Sequence, residues 1–162
     1  MTSTELLALL REFHRDKLTA RQRHVAAARH IPHYDFNNTY QYVICREDVQ
    51  LNWVSDAITD LGGTLDQIAE PEMPSSKGDS AQVRLLSEDR DGAQAFVDKW
   101  KPRMDGVPNA RHRSLLRVIL GETLEHKRFF EQALAGRTDL LGRRADGAGT
   151  GGGVLGTRWI EQ

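Results

Sequence analysis

Tyr40, Ile44, Glu47, Leu51, Val54, Ile58 and Leu61 follow a 4-3-4-3-4-3 spacing, that of the buried stripe of a helix packed against other helices. Six of the seven are large and apolar, and Glu47 stands in their midst. An ionised carboxylate in such a seam costs several kcal/mol unless a metal, a cation or hydrogen-bond donors compensate it. The anomaly recurs nearer the C-terminus, where Glu122 and His126 interrupt the stripe Leu115, Val118, Ile119, Phe129, Ala133 and share one helical face. Glu125 lies on the flank of that stripe, and Gln50 follows Glu47 by three residues on the same side. His14 falls between Leu10 and Leu18, and Asp89 between Leu86 and Ala93. These residue types suit a hard or borderline metal: carboxylates bridge two iron or manganese ions, imidazole completes each shell, and the cations neutralise the buried carboxylates. The competing reading is a hydrogen-bonded polar layer, with Glu47 or Glu122 paired to His14, His126 or an inward arginine such as Arg21. For Asp89, a first-turn acid on a helix dipole is the plain alternative.

Four helices are expected to position these groups. The first spans about 4–29, opened by a capping box at Thr2 and Glu5 and followed by Pro32, with Leu6, Leu7, Leu10, Phe13, Leu18, Val25 and Ala28 inward. The second starts near Asn38 and stops at Gly62-Gly63. Residues 64–85 include Pro71 and Pro74, show no sustained period and read as a long connection. A third helix covers about 87–104, burying Ala93, Phe96, Val97, Trp100 and Met104, and a fourth runs from near Asn109 to Gly136. Short, long and short connections predict an all-α fold: an antiparallel four-helix bundle of two hairpins joined by one long crossover.

The 162 residues suffice for one domain with a real core, here 1–136, followed by a tail over 137–162. A composition 39% hydrophobic and 28% charged is that of a soluble globular protein, and no run reaches the roughly 18 apolar residues of a membrane span. A cytoplasmic location is the expectation. A single cysteine, Cys45, excludes an intramolecular disulfide and reads as a core or near-core thiol. The basic residues Arg15, Lys17, Arg21, Arg23 and Arg29 fall around the polar side of the first helix without interleaved aromatics, so a solvated face is expected there rather than a nucleic-acid surface. The tail, GRRADGAGTGGGVLGTRWIEQ, is a glycine-rich linker ending in Val154, Leu155, Trp159 and Ile160. Residues 154–162 are anchors that fit a protein partner, a shell or a neighbouring subunit; folding back on the domain is the plainer alternative.

The stretch Arg46–Gly63, in which Glu47 precedes Trp53 and a final Leu-Gly-Gly, resembles the second helix of bacterioferritin-like and rubrerythrin-like proteins. Gly121–Leu134 is similar to their fourth helix, and with the long crossover the resemblance to the ferritin-like superfamily covers about 4–136. The resemblance implies a di-iron centre, held by a Glu from the first and third helices and a Glu-x-x-His from the second and fourth. Carried onto this chain, it makes Glu47, Glu122, Glu125, His126, Gln50, His14 and Asp89 the candidate ligands, with departures. Gln50 stands where a His is expected, Glu122-x-x-Glu125 ends in Glu with His126 one place late, and the first-helix position falls at or near His14. The tail layout resembles the cargo-loading tails of encapsulin-associated ferritin-like proteins. Implied with the family are assembly as a homo-oligomer and a role in iron handling or oxidative stress, as a ferroxidase or di-iron oxidoreductase that reacts ferrous iron with oxygen or peroxide. The reading from a different class is a metal-free bundle acting as an interaction module through its tail.

Overall fold

The computed structural model describes residues 1–73 and 78–141, so the tail's residues 154–162 lie outside the described residues. The chain is a four-helix bundle: α1 (Ser3–Ala28), α2 (Tyr34–Asp60), α3 (Asp79–Met104) and α4 (Ala110–Leu134), with no strand among the described residues. No helix among them is long and apolar enough to cross a membrane.

Local chemistry sets the ends. The Glu5 amide donates to Thr2 Oγ1 at 3.2 Å while the Thr2 amide donates to Glu5 Oε2 at 2.6 Å, the expected capping box. Asn109 Oδ1 accepts from the His112 amide at 3.1 Å and caps α4. Helix α2 begins four residues ahead of the expected Asn38. Asn37, already helical, donates through Nδ2 to the Ala28 and Ile31 carbonyls at 2.8 and 3.2 Å, satisfying groups left over where α1 ends. Gly62 closes α2 at φ +75°, a conformation glycine adopts without penalty. Helix α3 begins at Asp79, eight residues before the expected Ser87, and buries Ala81, Leu85 and Leu86. The exposed Val83 hid that period in the sequence.

The crossover is therefore shorter than 64–85 and lies along α1. Asp66 pairs with Arg11 at 3.2 Å and Arg15 at 2.8 Å, the Ile68 carbonyl accepts from Gln22 at 2.8 Å, and Glu70 pairs with Arg29 at 2.8 Å. The chain thus leaves the end of α2, beside the start of α1, and returns to the opposite end before α3 begins. Helices α1 and α4 run one way, α2 and α3 the other. The hairpin partners α1 with α2 and α3 with α4 share the closest packing, whereas α1 and α3 touch little.

Two apolar clusters fill the bundle. One joins Leu6, Leu10 and Phe13 to Val54, Ile58, Trp100, Leu116 and Ile119; the other joins Ala27 and Ala28 to Tyr40, Val43, Leu85, Leu86 and Phe130. The α2 and α3 stripes fall as expected, apart from a half-buried Leu61. On α4 the inward face is Leu116, Ile119, Leu120, Phe130 and Ala133; Val118 is 38% exposed and Leu115 and Phe129 are half-buried, a shift of one position from the expected stripe. Cys45 is exposed, not near the core.

Where the crossover starts, Gly63 packs so closely that a Cβ would meet Leu7 Cδ1 at 2.4 Å and Ile58 Cγ2 at 2.8 Å. Gly63→Ala is expected to destabilise the fold by about 1–3 kcal/mol through overpacking, read as a lower urea midpoint; an unchanged midpoint would contradict this packing.

Candidate functional site

Between the two apolar clusters lies a layer of buried polar side chains: Lys17 and His24 from α1, Glu47 and Gln50 from α2, Asp89 from α3, and Glu122, Thr123 and His126 from α4. Glu47, 0% exposed, is its centre. Lys17 Nζ lies 3.0 Å from Oε1 as an ion pair outside directed hydrogen-bond geometry, and His24 Nδ1 lies 2.8 Å from Oε2. Burial alone would push the Glu47 carboxyl up, but the charges of His24 and Lys17 outweigh it and bring it down to about 2. Burial likewise favours a neutral His24 ring, yet the charge and hydrogen bond of Glu47 win and hold its pKa above 6.5.

Each remaining acid has its own partners. Asp89 accepts from Arg23 Nε at 2.7 Å and from the Tyr40 hydroxyl, with His24 Nε2 at 4.0 Å. Burial and the Asp89 charge put the Tyr40 phenol well above its ordinary value. Glu122 is taken by Arg46 and the Gln50 amide. His126 is different. It is 1% exposed and neither ring nitrogen has a hydrogen-bond partner. Burial, then the nearby Lys17 charge, lowers its pKa to about 3, so the ring is neutral at ordinary pH, with one donor and one acceptor unused.

His126 forms part of the wall of a cavity of about 340 Å³ reaching inward between α1 and α3 to Lys17, Glu47, His24 and Thr123. Ala20, Gly92 and Ala95 are small, which keeps the cleft between those two helices open; Phe96 supplies an apolar wall. The rim is charged but paired, with Lys99 Nζ 2.7 Å from Asp16 Oδ2. Lys17 Nζ reaches Thr123 Oγ1 at 3.3 Å and stands 5.2 Å from the Phe96 ring centroid.

Of the candidate ligands, Glu47, His126 and Asp89 line this cavity. Gln50 and Glu122 bind one another on the other side of the layer. His14 is buried but lies outside the cavity lining, in the field of Asp66, and its pKa is lowered by burial, which that charge partly offsets. Glu125 is half-buried beside Tyr42 and is not among the cavity's lining residues. The donor set does not fit a di-iron centre. Among the described residues no three His, Cys, Asp or Glu side chains group closely enough to hold a metal ion, and Lys17, Arg23 and Arg46 already neutralise Glu47, Asp89 and Glu122. Lys17 does for Glu47 what a metal would do.

Lys17 and Arg23 therefore do not belong to a solvated basic face: Lys17 is 1% exposed and Arg23 is bound to Asp89 and Glu88. Arg21, offered above as an inward partner, pairs instead with Asp48 at 2.9 Å. The missed lysine had a signal. Leu6, Leu10, Phe13, Lys17 repeats the 4-3-4 spacing of the α2 stripe, and the next turns of that face bring in His24 and Ala28. No protein-family model, curated protein or solved structure matches this chain.

Two outcomes follow for stability. Lys17→Met leaves Glu47 with His24 alone and is expected to cost about 3–5 kcal/mol in urea unfolding; a loss under about 1 kcal/mol would remove Lys17 from its assigned role. His126, facing Lys17, Glu47, His24 and Arg46, stays neutral when folded but takes a proton when unfolded below its ordinary 6.5. Its contribution is thus complete above 6.5 and is lost as pH falls toward about 3, so His126→Leu is expected to flatten the fall in stability over that window. An unchanged slope in urea titrations across that range would contradict a buried neutral ring.

Proposed function

We propose that this chain is a ferritin-like bundle in which a lysine-neutralised core replaces a metal centre, and that it binds a small neutral organic molecule bearing a carbonyl or hydroxyl oxygen. The observation that carries this reading is His126, a fully buried neutral imidazole in the cavity wall with both nitrogens unpartnered. Burying polar atoms without partners is costly, and a bound oxygen function would supply what the protein does not. Charge points the same way. The cations Lys17, Arg23 and Lys99 around the cavity are each ion-paired, to Glu47, Asp89 and Asp16, so none of the three stands unpaired to draw an anionic ligand, which favours a ligand without net charge. Phe96 and the small side chains of the cleft suit an apolar body, while Thr123 and the Lys17 ammonium, which retains an unused N–H, suit its polar end.

Cyclohexanol and cyclohexanone serve as neutral probes. Both are expected to shift the NMR signals of the His126 ring and the Thr123 methyl, and Gly92→Leu is expected to abolish the shifts while keeping the fold. A Cβ at Gly92 meets no atom within 4 Å, and leucine is the better helix former. Failure of both probes to move His126, or shifts that persist undiminished in Gly92→Leu, would sink the reading.

A further inference from the structure

Lys17 and Glu47 stand side by side in the cavity wall as paired charges, but not as hydrogen-bond partners. Lys17 Nζ lies 3.0 Å from Glu47 Oε1, yet that oxygen is buried and accepts no directed hydrogen bond from any described residue. The other carboxylate oxygen is taken by His24 Nδ1 at 2.8 Å. The Lys17 ammonium donates to Thr123 Oγ1 at 3.3 Å and retains a further N–H. Attraction between the two charges needs only proximity, whereas the lone pairs of Oε1 and the spare N–H need partners in the right direction. A buried charged acceptor left unmet costs more than a neutral one. Thr123 cannot supply the missing donor, because its hydroxyl already donates to the Ile119 carbonyl at 2.8 Å. The wall thus presents a donor and an acceptor 3.0 Å apart, both lining one cavity.

From this geometry we infer that the ligand is a carboxamide, a lactam or a primary amide, that docks its amide edge on the Lys17–Glu47 pair. This rests on the reading of the cavity as a small-molecule site and narrows its ligand to one that donates and accepts through adjacent atoms. In a lactam or a primary amide an N–H lies on the same side as the C=O, and standard bond lengths put the nitrogen and oxygen about 2.3 Å apart. That edge spans the pair with two near-parallel hydrogen bonds: the amide N–H donates to Glu47 Oε1, and Lys17 donates to the amide oxygen. Both protein groups keep their charges, so the ion pair that neutralises the core is preserved. The amide oxygen has a second lone pair, which suits an N–H of His126, neutral and unpartnered in the same wall. A ketone has no donor and leaves Oε1 unmet. The apolar remainder of the ligand lies against Phe96.

The test compares 2-piperidone with cyclohexanone, two six-membered rings that share a carbonyl and differ by an N–H beside it. Each is titrated into the full-length protein, and the NMR signals of the His126 ring and the Thr123 methyl give the dissociation constants. The lactam is the more strongly hydrated of the two, so burial of apolar surface alone would rank cyclohexanone first. Donation to a buried carboxylate reverses that order, and 2-piperidone is expected to bind on the order of tenfold more tightly than cyclohexanone. Its N–H proton is expected to move downfield on binding, as donation to a carboxylate requires. Gly92→Leu is expected to abolish both effects. If cyclohexanone shifts His126 and binds as tightly as 2-piperidone, the amide edge is overturned and the binding site stands. If cyclohexanol, cyclohexanone and 2-piperidone all leave His126 unmoved, both fall.

Discussion

A carboxylate in the middle of a helical bundle must be neutralised, and the arrangement of the central layer follows from how Glu47 meets that requirement. Its charge would cost several kcal/mol if left alone, so the facing helix must bring cations to it. Helix α1 does so twice, through Lys17 and His24, which flank the two oxygens of Glu47. Those side chains then need space and partners of their own. Thr123 on α4 holds the lysine, Asp89 on α3 lies within reach of the imidazole, and Arg23 and Tyr40 in turn fix Asp89. One buried charge thus recruits groups from all four helices.

The two apolar clusters on either side explain how such a layer is tolerated. Each is closed by large side chains, Phe13 and Trp100 at one end and Tyr40 and Phe130 at the other, so the polar layer is confined to the waist of the bundle. The crossover contributes from outside. Its acids and a carbonyl bind Arg11, Arg15, Gln22 and Arg29 along the outer face of α1, which fixes the rotation of that helix about its axis. That rotation turns Lys17 and His24 inward. Between α1 and α3 the small residues Ala20, Gly92 and Ala95 leave the cleft through which the layer communicates with solvent.

The helical architecture was legible because long amphipathic segments with caps and glycine stops carry strong periodic signals. The anomalous Glu47 was legible for the same reason, since six apolar neighbours in register define its face. Its partners were harder to read. A lysine in a helix rich in arginine looks like surface, and only the spacing from Leu6 through Phe13 marks Lys17 as inward. On α4, Leu115 and Val118 compete with Leu116 and Leu120 for the same stripe, and only contact with the other helices decides between them. The start of α3 was obscured by the exposed Val83 and by the prolines just upstream. The pairing of Gln50 and Arg46 with Glu122, rather than convergence on Glu47, depends on the relative rotation of α2 and α4, which no single segment encodes.

The central claim is that Lys17, not a metal ion, balances Glu47. It is tested most directly by elemental analysis of the protein after anaerobic addition of ferrous iron and desalting, with Glu47→Ala and Glu122→Ala alongside. The account predicts no stoichiometric iron in any of the three proteins. A pair of irons retained per chain and lost in both variants would contradict it and restore the di-iron centre that the resemblance implied.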